Sequence, residues 1–224
     1  MKNRYIIPFL LIFLFLSVAK AQTNKIGIVF DADTTLTYQY VGLTAFTNFT
    51  KDLPIHVNVK EEILQKLKSY LSTKYTVEMA ELPDSLKGRS IGFFDGGIGR
   101  KLRKWTKTVD KEFDVIVFIR NQEIPPEWRV MIAENSNGLY ARQSNAYLFT
   151  TITFYAYKTS NGQELEYYNL GGNLLHKLKK FKSPKSKEEF SPAALNFLEE
   201  EYKKYLDERV KFFLAKSYLM PDGW

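Results

Sequence analysis

No cysteine occurs in the 224 residues, so the chain has no disulfide framework, no thiolate nucleophile and no cysteine to carry an N-terminal lipid. Histidine is nearly absent as well. His56 and His176 stand far apart, neither has a second His, a Cys or paired carboxylates at ligand spacing, and a zinc set or a Ser-His-Asp arrangement needs more than this. No G-x-S-x-G, G-x-x-x-x-G-K-[ST] or G-x-G-x-x-G pattern is present, which removes the common nucleophile elbow and the two common phosphate loops. No internal repeat is visible, and beyond residue 21 no apolar run approaches the roughly 20 residues that span a bilayer.

The N-terminus is patterned differently from the rest. Lys2 and Arg4 precede an apolar run from Tyr5 to Leu16, and Ala19-Lys20-Ala21 has the small-residue spacing of a signal-peptidase site. The expectation is a signal peptide over residues 1–21, cleavage between Ala21 and Gln22, and release into the periplasm or the medium. Loss of Lys2, Arg4 and Lys20 lowers the formal charge from +7 to +4, a mild basic bias. The remaining residues, 22–224, are expected to form a single α/β domain.

Phe113 to Arg120 contains the longest apolar run after the leader and reads as a strand buried on both faces, the signature of a parallel sheet covered by helices. Lys25 to Phe30 reads as the first strand. Thr37 to Ile55, rich in Thr, Tyr and Phe, reads as an extended excursion at a sheet edge. Val59, Ile63, Leu67 and Tyr70 with Leu71 keep helical spacing behind Asn58 as N-cap, and Tyr75 to Leu82 alternates as a second strand. Gly92 to Gly99 reads as a loop opening a second helix, with Ile98, Leu102, Trp105 and Val109 on one stripe and Arg100, Lys101, Arg103, Lys104 and Lys107 opposite. Gln122 to Trp128 reads as a rigid exit loop.

Leu139 to Ser144 and Ala146 to Lys158 alternate as strands, and Asn161-Gly162 is expected to turn the second into a hairpin with Glu164 to Tyr168. Residues 174–187 are expected to hold a short helix fraying into a lysine-rich linker near 176–190. Ser191-Pro192 then opens a long helix with Leu195, Leu198, Tyr202, Leu206, Val210 and Phe213 on one face. The sum is a doubly wound, mostly parallel sheet with an added antiparallel hairpin and a long C-terminal helix.

With the strands Ile26 to Phe30, Val115 to Ile119 and Ile152 to Tyr157 leading into Asn161-Gly162, the chain resembles the α/β fold shared by the N-terminal domain of the Tol-Pal translocation protein and the curli-secretion lipoprotein. That resemblance implies an envelope setting and an architecture, and transfers no site residue.

Asp31-Ala32-Asp33-Thr34-Thr35-Leu36 after an apolar strand is similar to the first motif of the haloacid-dehalogenase-like phosphatases. The resemblance implies Asp31 as nucleophile, Asp33 as general acid and a Mg²⁺ cofactor. The chain departs from that pattern where the central strand ends in Arg120-Asn121 rather than Ser or Thr, and where no later strand ends in paired aspartates. Without the motif, two aspartates simply turn the chain out of a strand and no cofactor is needed.

In open parallel sheets ligands sit beyond the carboxyl ends of the strands, which nominates Asp31, Asp33, Arg120, Asn121 and Glu123 as a ligand-binding group. Two basic stretches, Arg100 to Lys107 and Lys177 to Lys187, suit a protein or an anionic envelope component and at most peripheral membrane contact. Export excludes nucleic acid. The sequence therefore points to a non-enzymatic binding or assembly protein, with a Mg²⁺-dependent phosphatase as the alternative.

Overall fold

The computed structural model describes residues 24–88, 96–124, 129, 132–133, 136–167, 175–184 and 190–220. The expected leader, Gly92 to Asp95 of the glycine loop and Pro125 to Trp128 of the exit loop lie outside these. Ten strands and three helices are present among the described residues. In chain order they are β1 (Lys25–Asp31), β2 (Leu36–Val41), β3 (Phe49–Asp52), α1 (Val59–Leu71), β4 (Thr76–Met79), α2 (Gly96–Thr106), β5 (Val115–Asn121), β6 (Asn137–Arg142), β7 (Asn145–Thr150), β8 (Ile152–Lys158), β9 (Glu164–Tyr167), β10 (Leu175–Lys177) and α3 (Pro192–Lys216).

The strands form two mixed five-stranded sheets, ordered β4-β1-β5-β8-β9 and β10-β7-β6-β2-β3. Read from the other edge, the second sheet is β3-β2-β6-β7-β10, so chain neighbours occupy matching places in both: β1 with β2, β5 with β6, β8 with β7. The two sheets meet end to end. Only Ala32 to Thr35 separates β1 from β2, and Thr151 alone separates β7 from β8. Backbone bonds carry the ladder across the gap, from Gln122 N–H to Thr151 O at 2.8 Å, from Asn137 N–H to Thr35 O at 3.1 Å and from Thr151 N–H to Ser136 O at 3.3 Å.

The architecture is mixed α/β with a C-terminal helix, as expected, but it is not mostly parallel. β1 pairs in parallel with β4 and β5, and β2 with β6, whereas the other five ladders are antiparallel. The cause is the short chain reversals: two-residue and five-residue connections between β6 and β7 and between β8 and β9 leave no room for the crossover a parallel pair requires.

β5 is buried along all seven residues, as its unbroken apolar run predicts. Its alternate side chains face two cores. Val115, Val117 and Ile119 join Ile28, Phe154, Leu139 and Leu148 under α1 and α3, so one face of both sheets shares a core. Ile116 and Phe118 face the opposite way and pack with Ile98 and Leu102 of α2.

Helix starts follow their sequence signals. Asn58 accepts the Glu61 N–H at 3.2 Å and Ser191 accepts the Ala194 N–H at 3.3 Å, each satisfying a donor that the first turn leaves free. In α3, Leu198, Tyr202, Leu206, Val210 and Phe213 are buried, Phe213 stacks on Phe154 of β8 at 5.0 Å, and the Tyr202 hydroxyl donates to Phe149 O of β7 at 3.3 Å. A single helix thus spans both sheets.

Two local expectations change. Leu175 to Lys177 is a strand paired with β7, not a helix, because its alternate residues fit the open edge of the second sheet. The β8–β9 hairpin is present, but its loop is five residues long and of Asn161 and Gly162 only Gly162 has positive φ, at 69°. Asn161 instead accepts the Gln163 N–H through its side chain at 2.8 Å.

Candidate functional site

The nominated residues gather where the two sheets join. Asp31 and Arg120 are register partners at the ends of β1 and β5, and both side chains turn toward the α2 face. The Arg120 side chain is 1% exposed, and its Nη2 lies 2.8 Å from Asp31 Oδ2. Arg120 Nη2 also donates to Leu86 O at 3.0 Å, and both Asp31 oxygens accept the Gly88 N–H at 3.0 and 3.1 Å. The pair therefore ties the segment that leads toward α2 down onto the sheet.

On the other side of the same strand ends, Asn121 Oδ1 accepts the Asp33 N–H at 2.5 Å and Asn121 Nδ2 donates to the Thr151 hydroxyl at 2.8 Å. The Asp33 carboxylate is turned back on its own chain, where Oδ1 accepts the Thr35 N–H at 2.8 Å and the Thr35 hydroxyl at 2.6 Å. Glu123 is drawn away from the group. Its carboxylate meets Arg129 at 2.7 Å. The five nominated residues thus resolve into one buried ion pair, one amide clamp and one separate surface pair.

Sequence reasoning missed the residue that joins most of these parts. Asn137 is completely buried, donates from Nδ2 to Asp33 O at 2.9 Å, and accepts the Thr150 hydroxyl on Oδ1 at 2.5 Å. Beside it Gly138 has φ 131°, and a Cβ there would sit 2.2 Å from Thr37 O, so only glycine permits β6 to approach β2 this closely. The available signals were the Asn137-Gly138 dipeptide at a strand start and the Thr150-Thr151 doublet that interrupts an apolar alternation.

Both aspartates of the phosphatase-like motif already have partners within the chain. Asp31 Oδ2 meets the Arg120 guanidinium at 2.8 Å, and Asp33 Oδ1 accepts the Thr35 N–H at 2.8 Å. Among the described residues no group of three or more His, Asp or Glu is placed to hold a metal. The crevice expected beyond the strand ends is occupied by the chain itself, because β2, β6 and β7 continue the sheet.

An open groove of about 320 Å³ lies farther along, on the second sheet. Gln39, Tyr40, Asn48, Phe49, Arg129 and Ile132 line it. Gln39 fixes one wall: its Oε1 accepts the Ala133 N–H at 3.1 Å and its Nε2 donates to the Ser136 hydroxyl at 3.2 Å. The lining offers amide groups and aromatic faces. Burial pushes the nearby Tyr38 phenol up to about 12, so it stays neutral and keeps the proton it donates to Pro184 O.

The residues expected to form an anionic surface, Arg100, Lys101, Arg103, Lys104 and Lys107, are all exposed on α2 and the turn after it. Arg103 lies 3.8 Å from Glu164 of β9. Among the described residues no helix is long and apolar enough to cross a membrane. These features define a mixed α/β protein with a polar seam between two joined sheets and a groove on the second. No protein-family model matches the chain, and no curated protein matches it.

Proposed function

We propose that the chain is an exported envelope or secreted protein that binds a partner without chemically transforming it. The observation that carries this is the state of Asp31. A carboxylate that accepts from Gly88 with both oxygens and meets a buried guanidinium at 2.8 Å is poorly placed to attack phosphorus, since its lone pairs are held by donors that a reaction would have to displace. The groove on the second sheet supports the same reading. Its amides and ring faces suit reversible polar and stacking contacts.

The leader-like N-terminus supports export, and an envelope partner agrees with the resemblance to the Tol-Pal and curli-secretion fold. The alternative, a Mg²⁺-dependent phosphatase, keeps its motivation in the spacing of Asp31 and Asp33 alone. A phosphomonoesterase assay with Mg²⁺ on the wild type, Asp31→Asn and Asp33→Asn separates the two. No turnover dependent on either aspartate is expected. Activity that disappears in Asp33→Asn, a variant whose side chain serves only the Thr35 turn, would sink the binding reading.

A further inference from the structure

The end of the second sheet away from the junction carries an unusual combination of side chains. β2 runs outward from the junction to Val41, the register partner of Arg142, so the β2–β3 tip and the β6–β7 turn share that end. β10 runs the same way, and Leu178 N–H bonds to Ala146 O, which brings Lys179 and Lys180 beside the β6–β7 turn. From there the chain returns to Pro184, whose carbonyl accepts from the Tyr38 hydroxyl midway along β2.

On the β2–β3 tip, Leu43 is 86% and Phe46 is 99% exposed. They are not on a slack loop. The Gly42 N–H donates to Asn48 Oδ1 at 2.9 Å, the Thr47 N–H donates to Thr44 O at 3.1 Å, and Gly42 packs so tightly on Thr47 that a Cβ would lie 1.9 Å from its hydroxyl. Arg142, Lys177, Lys179 and Lys180 are exposed near the same end. Across residues 36–51, 137–150 and 175–184 there is no Asp or Glu.

We propose that this end of the second sheet is a membrane-surface contact that inserts Leu43 and Phe46 among the headgroups of an anionic phospholipid bilayer while the surrounding Arg and Lys side chains meet the lipid phosphates. Two almost fully exposed apolar side chains on a braced turn suit a bilayer, which receives such prongs one at a time. A carboxylate-free rim of cations complements the negative surface and adds to the apolar insertion. Five strands at about 4.8 Å spacing make the rim about 20 Å wide, enough to meet several headgroups. The inference deepens the binding reading by naming the partner.

The test is flotation of the full chain with vesicles of phosphatidylglycerol in phosphatidylcholine, against phosphatidylcholine alone. Binding to the anionic vesicles is expected, and weakening as salt rises, because the cations are solvent-facing. Leu43→Ser with Phe46→Ser should lower the partition about tenfold. Lys179→Gln and Lys180→Gln should each lower it about fivefold on anionic vesicles. All four positions are exposed, so unchanged circular dichroism and unfolding midpoints show that the fold is intact.

Absence of binding, equal binding to neutral vesicles, or wild-type binding by the serine variant would each overturn the proposal, the last because the attachment would then run through residues 1–21 or the basic face of α2. None of these outcomes bears on whether the chain is exported or catalytic, which fractionation and the phosphatase assay decide.

Discussion

Asp31→Asn is the most informative single change. Arg120 is the bulkiest fully buried side chain among the described residues, and the carboxylate 2.8 Å away supplies charge compensation. Removing one member of a buried pair costs about 3–5 kcal/mol, mostly because the other charge stays out of water. Asp31 keeps 17% exposure, and asparagine still offers an oxygen to the Gly88 N–H, so the lower figure, about 3 kcal/mol, applies. Arg120→Met removes the buried charge itself and leaves a carboxylate that water can reach. It loses the bond to Leu86 O but leaves no uncompensated buried cation, and should cost about 2 kcal/mol. The double variant should then be close to Arg120→Met alone, giving a coupling of about 2–3 kcal/mol. Urea unfolding of the four proteins at pH 7, with equal slopes, measures it. Additivity to within about 0.5 kcal/mol would refute the reasoning, since two residues that do not interact give additive effects.

Other perturbations follow from the same geometry. Asn137→Ala strips the Thr150 hydroxyl of its acceptor and Asp33 O of its donor inside the seam, and should lower stability by about 2–3 kcal/mol in urea unfolding, whereas an exposed asparagine such as Asn161 should cost far less. Tyr70 of α1 donates to Asp207 of α3 at 2.5 Å, with Lys66 and Lys211 alongside. Burial pulls the Asp207 carboxyl upward, but the bonds from Tyr70 and Lys211 and the two lysine charges outweigh it and hold it below the usual range. The stability this gives is present above the unfolded carboxyl's pKa and is lost as pH falls through the lower folded value, so the wild type should lose more stability than Asp207→Asn between about pH 5 and about pH 2. Burial, reinforced by Asp207, raises the Tyr70 phenol, so its contribution persists to the ordinary tyrosine range and fades only above it. Fractionation of intact producing cells with N-terminal sequencing should yield a product that begins at Gln22 in the soluble or salt-washed fraction, and one that keeps Met1 and leaves membranes only with detergent would show that the leader is an anchor.

Much of the architecture was legible because it depends on period. The strand at Val115 to Asn121 has apolar side chains on both faces, is short and β-branched, and is flanked by polar residues, which favours a covered strand over a buried helix. α1 and α3 were equally plain, each with a cap and a stripe. Strand direction was not legible, because an alternating segment looks the same whichever way its neighbour runs. The segment from Ala146 to Lys158 shows the limit well: its alternation hardly breaks, yet at Thr151 the chain leaves one sheet and enters the other. Leu175 to Lys177 was misread for a related reason. Three residues are too few to display a period, and the deciding partner is Phe149 to Tyr147, contacts that exist only after the sheet forms.

The candidate site was legible in its parts but not in its sense. Placing Asp31, Asp33, Arg120 and Asn121 at neighbouring strand ends follows from parallel pairing of β1 with β5, and the structure brings them together. What the strand-end rule assumes is that the sheet stops there. Here the chain continues after four residues from β1 into β2 and after one residue from β7 into β8, so the polar groups that would line an open crevice instead face a second sheet. A buried seam needs every donor and acceptor matched, and Asn121, Asn137, Thr150 and Thr151 supply side-chain bonds where the bend interrupts the ladder. The same residue types would serve a ligand equally well in an open sheet, which is why composition alone could not distinguish them. The consequence for function is spatial. With the junction closed by the protein's own strands, the partner contact proposed above falls outward along the second sheet, at the groove beside Gln39 and at the tip that carries Leu43 and Phe46.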